Sequence, residues 1–180
     1  VAYETAIALQ PEYAQAYTNL GLALQKKHQY HEALQAHQHA IQFDPNSASA
    51  HYNLSHCLLA MEEAQQAENH LLQHFHLCSQ DPESIILLGQ TVQHQQRFHE
   101  ARTHFVKALS LQPQNPQPLT HIAMSYIEEG NFKAALLRLE GALKLDPIHR
   151  DSLMLMGYTL SQLHQPVAAA ECYHKILQLD

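Results

Sequence analysis

The chain reads as an all-α solenoid, a stack of repeated helix–turn–helix hairpins. Three observations predict this. A proline recurs at a fixed spacing, apolar residues keep a helical register from one recurrence to the next, and no stretch alternates with the period of a strand. Pro11 and Pro45 lie 34 residues apart, as do Pro113 and Pro147. Pro45 and Pro113 lie 68 apart, twice the period, with Ser79 in the skipped slot.

With this proline at position 32, repeats begin at Ala14, Ala48, Pro82, Pro116 and Arg150. One array over 1–180 results, made of segments 14–47, 48–81, 82–115, 116–149 and 150–180, preceded by the end of another repeat in 1–13. Position 20 is Ala33, Ala67, Ala101, Ala135 and Ala169. Position 8 is Gly21, Ser55, Gly89, Ala123 and Gly157, small every time. Position 7 is Leu20, Leu54, Leu88, Ile122 and Met156, and position 11 is Leu24, Leu58, Val92, Tyr126 and Leu160.

Positions 4, 7, 8 and 11 share one face of a first helix, and positions 20, 24 and 27 share one face of a second. Small residues let two backbones approach, and large ones fill the space between. Each hairpin can bury its apolar face only against neighbours. First helices are predicted near 14–27, 48–61, 82–95, 116–129 and 150–163, and second helices near 30–43, 64–77, 98–111, 132–145 and 166–179. Asp44-Pro45-Asn46 and Asp146-Pro147 punctuate the hairpins, and Pro82, Pro116, Pro118 and Pro166 fall in first turns, where a missing N–H costs little.

Tyr17-x2-Leu20-Gly21-x2-Leu24 with Ala33 and Pro45, and Ile85-x2-Leu88-Gly89-x2-Val92 with Ala101, Phe105 and Pro113, resemble the tetratricopeptide repeat family. The resemblance covers essentially the whole chain. It implies a right-handed superhelix whose concave groove, lined mainly by first helices, binds a protein or peptide in extended or helical form. Repeat two departs most, with His51, Ser55, His74 and Ser79 at positions 4, 8, 27 and 32, and is expected to be the least regular hairpin.

Composition narrows the partners. Ten Lys and Arg are scattered against seventeen Asp and Glu, giving a net charge of −7 with no Trp. A nucleic-acid surface needs a basic stripe, and none is present. An anionic membrane surface is excluded on the same ground, and no apolar run approaches the roughly 18 residues of a membrane span. Cys57, Cys78 and Cys172 form no disulfide or Cys-x-x-Cys pattern, which favours a reducing, cytoplasmic setting.

No catalytic constellation is legible, and no cofactor is expected. There is no phosphate-cradling glycine loop, nucleophile elbow or His-Glu-x-x-His. The carboxylate pairs Glu62-Glu63 and Glu128-Glu129 end first helices and read as solvated surface. Sixteen histidines stand out. His70, His74 and Cys78, spaced i, i+4, i+8, line one stripe and are the only weak metal candidate, short of a fourth ligand. Many of the histidines are expected to gain charge as pH falls from 7 to 5.

The family resemblance assigns the groove to positions 2, 5, 6, 9, 12 and 13. In repeats one and two these include Thr18, Asn19, Leu22, Tyr52, Asn53 and His56, and in the later repeats Ile86, Leu87, Gln90, His121, Met124, Met154, Leu155 and Tyr158. Asn19 and Asn53 share position 6, and a side-chain amide donates to and accepts from a peptide backbone at once. Their Asn-Leu context looks like that in the repeats of O-linked N-acetylglucosamine transferases. The later groove is apolar and methionine-rich, suited to an apolar or amphipathic segment. The Lys and Asn clamp by which related chaperone adaptors hold a C-terminal carboxylate is missing: only Asn53 matches, and Glu83 opposes it.

Two functions follow: an interaction scaffold, or the substrate-recognition arm of a larger glycosyltransferase or sulfotransferase. Both ends fall inside the repeat register, so the chain is expected to be a segment of a longer protein. Self-association through the terminal hairpins is a third use.

Overall fold

A first helix of this chain carries small and apolar residues at i, i+3, i+4 and i+7, and it folds back on its second helix through a turn of a few residues. The computed structural model describes residues 2–78 and 81–179. Ser79, the residue in the skipped proline slot, lies outside them. The chain divides into two units, 1–95 and 96–180.

The first unit holds α1 (Ala2–Leu9), α2 (Ala14–Gln25), α3 (Tyr30–Phe43), α4 (Ala48–Ala60), α5 (Ala64–Leu77) and α6 (Pro82–His94). The second holds α7 (Phe98–Leu111), α8 (Gln117–Glu128), α9 (Phe132–Leu145), α10 (Arg150–Gln162) and α11 (Pro166–Leu177). No strand occurs among the described residues. The chain is all-α, as the register predicts, with helix ends close to the predicted ones.

Tyr17, early in α2, meets Phe43, at the end of α3, with ring centroids 5.5 Å apart. The two helices therefore run antiparallel. Each second helix also supports the next first helix of its unit: α3 packs on α4, α5 on α6, α7 on α8 and α9 on α10. First helices touch first helices, α2 on α4, α4 on α6 and α8 on α10, which lays their faces side by side.

The position-20 alanines Ala33, Ala67, Ala101 and Ala135 are fully buried, and Ala169 nearly so. In the first unit Leu54, Leu58 and Ala67 form a core cluster with Leu34, Ile41 and Leu59 against it. In the second, Ala123, Ala135 and Leu139 form one cluster, and Leu160, Ala169 and Cys172 another.

The hairpin turns share a feature that the sequence shows only once. Position 15 adopts positive φ in every repeat: His28 (60°), Glu62 (65°), Gln96 (60°), Gly130 (74°) and His164 (58°). Only one is glycine. The N–H after the turn residue donates back to the position-11 carbonyl, Gln29 to Leu24, Glu63 to Leu58, Asn131 to Tyr126 and Gln165 to Leu160, at 2.8–3.0 Å. This 6→1 bond closes a Schellman motif and satisfies a carbonyl the helix end leaves open.

Repeat two was expected to be the least regular. Its helices α4 and α5, of 13 and 14 residues, match their counterparts in length to within two residues. Its polar slots are instead satisfied one by one. The Ser55 hydroxyl donates to the Tyr52 carbonyl at 2.6 Å, and His51 Nε2 donates to the Pro45 carbonyl at 3.2 Å.

Candidate peptide-binding faces

In the first unit the first-helix face carries Asn19, Leu22, Tyr52, Asn53 and His56. Asn19 and Asn53 are half-buried, and Leu22 and His56 are exposed. The Asn19 Oδ1 accepts from Gln15 Nε2 at 3.3 Å, and Gln25 Nε2 reaches across to the Asn53 carbonyl at 3.0 Å. The Asn53 side-chain amide has no hydrogen-bond partner among the described residues. Tyr52 Oη lies 3.2 Å from His56 Nε2, with the rings edge-on. Burial, then the negative charges of Asp81 and Glu83, push the Tyr52 phenol up, so it remains a donor. Partial desolvation by its neighbours lowers the pKa of the exposed His56.

Three residues expected on the groove are core instead. Thr18 is buried, its hydroxyl turned back to the Ala14 carbonyl at 3.2 Å. Ile86 and Leu87 are 4% and 3% exposed. The reason is the run Ile85-Ile86-Leu87-Leu88: four consecutive apolar residues span most of a helix circumference, and a helix apolar all round is buried. Residues Ser84 to Gly89 are all buried. Gln90, half-buried, follows them.

The second unit keeps an apolar face. Met124, Met154 and Tyr158 on the adjacent helices α8 and α10 are 40%, 51% and 44% exposed. Leu155 sits half-buried at the edge of the Ala123 cluster and serves packing more than the open surface. His121 stacks on Phe105 at 5.1 Å, and burial brings its pKa down to about 4.

The histidine stripe on α5 does not converge. His70 Nδ1 turns to His51 Nδ1 at 3.0 Å. His74 Nδ1 donates to the Ala48 carbonyl at 2.9 Å, and His74 Nε2 lies 2.9 Å from Ser84 Oγ and 3.3 Å from Cys78 Sγ. His74 and Cys78 do meet, but no group of three metal-binding side chains forms among the described residues. The physical reason is that His70 is spent on His51 of α4, while His74 bridges the Ala48 carbonyl of α4 and Ser84 of α6.

Ser84, His74, Asp81 and Cys78 form a cluster that spacing did not reveal. Ser84 donates its hydroxyl to Asp81 Oδ2 at 2.6 Å, while Asp81 Oδ1 caps α6 by accepting from the Ser84 N–H at 2.9 Å. The residue types are those of a hydrolytic triad, but the wiring is not. The carboxylate holds the serine instead of the imidazole, and Ser84 is 1% exposed. Burial and then Asp81 push the Cys78 thiol up, away from the reactive thiolate. The cluster ties α4, α5 and α6 together.

With this geometry in place, two models of the tetratricopeptide repeat match the chain, one over residues 14–47 and the other over 82–115 and 116–149, together more than half of it. The chain belongs to the tetratricopeptide repeat family. Among proteins of known sequence, this tetratricopeptide chain is 24% identical over 217 aligned residues to the human Protein O-mannosyl-transferase TMTC3, covering 99% of the chain and 24% of that protein. It spans about a quarter of that relative's length. Among solved structures it is similar to PilW, a type IV pilus biogenesis factor, with a TM-score of 0.85 and 17% identity over 97% of this chain and 81% of that one. It is also similar to YrrB, described as a TPR protein with an unusual peptide-binding site, with a TM-score of 0.71 and 20% identity over 100% and 93%. At these identities the solved structures share the fold with this repeat chain. No helix among its described residues is long and apolar enough to cross a membrane.

Proposed function

We propose that the chain is a non-catalytic protein- or peptide-binding scaffold, and that it binds through its first-helix faces in a cytoplasmic setting. One observation carries the reading. Met124, Met154 and Tyr158 stand exposed together on adjacent helices of the second unit. Soluble proteins rarely leave large apolar side chains side by side without a partner, and methionine repacks around varied ones. Asn19, Asn53, Tyr52 and His56 add a polar face in the first unit, with amide groups suited to a peptide backbone.

The test is to select peptides from a random library on the wild-type chain and titrate them by fluorescence polarisation. Met124→Ser/Met154→Ser/Tyr158→Ser is expected to weaken the selected peptides about tenfold or more while keeping the wild-type helical content. Undiminished binding by the triple variant removes the apolar face from the site.

A second reading is the substrate-recognition arm of a larger transferase. It rests on the relative named a mannosyl-transferase, of which this chain spans 24%. Grafting the triple substitution into a longer protein that contains these repeats separates the two. An arm loses turnover on protein substrates and keeps it on a small acceptor.

A further inference from the structure

The second unit has another recess, on the opposite side of α8 from the methionine face. Leu119, Ile122 and Tyr126 form one stripe of α8, while Met124 lies two residues after Ile122, about 200° round the helix. The stripe floors a cleft of about 350 Å3 between α7 and α9. Leu109 completes the apolar floor, and Val106, 56% exposed, forms the wall.

Two guanidiniums stand at this cleft, Arg102 and Arg138, and no carboxylate lines it. Arg102 is spent. It donates to Glu129 at 2.7 and 3.2 Å and lies over the Tyr126 ring, 4.5 Å from the centroid. Glu129 is thus a structural partner and not merely solvated surface. Arg138 is exposed and has no ion-pair or hydrogen-bond partner among the described residues. Arg138 is thus a free guanidinium beside an open apolar cleft that no carboxylate lines.

We infer that this cleft is a second docking surface, and that its occupant is an acidic amphipathic helix of a partner protein. Such a helix would insert a large apolar side chain between Val106 and Ile122 and place an Asp or Glu on Arg138. Charge complementarity fixes this choice. Arg138 is the guanidinium left free at this cleft, so an acidic side chain on the helix sets where it lands. This surface is independent of the groove reading.

The probes are two fluorescein-labelled amphipathic peptides with the same Leu and Phe stripe, one flanked by Glu and the other by Lys. The acidic peptide is expected to saturate the chain at low salt, and the basic one not to bind. Arg138→Glu and Val106→Glu, each checked for wild-type helicity, are expected to weaken the acidic peptide about tenfold. Met154→Ser should leave it unchanged, which separates this surface from the groove. Equal binding of both peptides, full binding by Arg138→Glu, or loss of binding in Met154→Ser overturns the proposal. Binding of sodium dodecanoate without the peptide also overturns it, because it assigns the cleft to a small carboxylate.

Discussion

The ring of His37, on α3, lies flat against Gly21, on α2, so closely that a Cβ built on Gly21 would sit 2.6 Å from its Nε2. The same relationship recurs four hairpins later, where a Cβ on Gly157 would sit 2.7 Å from the Tyr173 ring. In these two repeats position 8 is glycine because position 24 places a ring on it. His37 is completely buried, and neither ring nitrogen has a hydrogen-bond partner among the described residues.

Gly21→Ala and Gly157→Ala are therefore expected to destabilise, by about 2 kcal/mol or more, since the ring and not a flexible chain end must move. His37→Leu is expected to stabilise by about 1 kcal/mol, because it removes two unsatisfied polar atoms from the core. Urea unfolding midpoints read both signs.

Burial lowers the His37 pKa to about 4, and burial, opposed by the Asp151 charge and aided by His149, lowers that of His121 to about 4. A histidine whose folded pKa is depressed takes up protons more readily when unfolded. Its contribution is intact above the unfolded pKa of about 6.5, and it is lost as pH falls from there towards the folded value. Stability is expected to decline from pH 7 to pH 4, by about 2 kcal/mol at pH 5 from His37 alone. His56 and His70 are also lowered and add in the same direction. Many of the histidines are expected to gain charge by pH 5, but His37 and His121, with pKa values of about 4, resist it. His37→Leu should flatten the midpoint-against-pH curve measurably, and an unaltered slope would count against the assignment.

The position-15 turns offer an opposite class of change. His28→Gly, Glu62→Gly, Gln96→Gly and His164→Gly are each expected to stabilise by about 0.5–1 kcal/mol, since each residue holds a left-handed φ that glycine adopts freely. Gly130→Ala should cost about 1 kcal/mol. Thermal melts of the single variants suffice.

Core and surface assignments separate cleanly at Leu87 and Met124. Leu87→Ser is expected to cost about 3 kcal/mol, with cavity and buried hydroxyl both contributing. Met124→Ser, at an exposed site, should stay within about 0.5 kcal/mol of wild type. Differential scanning calorimetry of the pair is the check.

Zinc is expected to leave the melting temperature unchanged, because His70 is turned to His51 and away from the His74–Cys78 contact. A rise that saturates at one equivalent would restore the metal site.

The repeat period, the helix ends and the buried alanines were all legible in the chain itself. They depend on local propensity and on a face that repeats every 34 residues, and a linear pattern records both. Gly130 marked one hairpin turn, but His28, Glu62, Gln96 and His164 carry the same backbone without any residue that announces it. There the closing 6→1 bond sets the conformation, not the side chain. Position in the repeat predicted exposure for Met124, Met154 and Tyr158, and they are exposed. It failed at Thr18, Ile86 and Leu87, because position says which way a side chain points and nothing about what covers it. The Ser84–His74–Asp81 cluster and the Arg138 cleft lay beyond sequence reading for the same reason: their members are brought together by packing between helices, and no spacing along the chain encodes it. The sequence by itself determined a stack of helical hairpins. Tertiary packing decided which apolar residues remain for a partner, since burial is a property of neighbours and not of a residue alone.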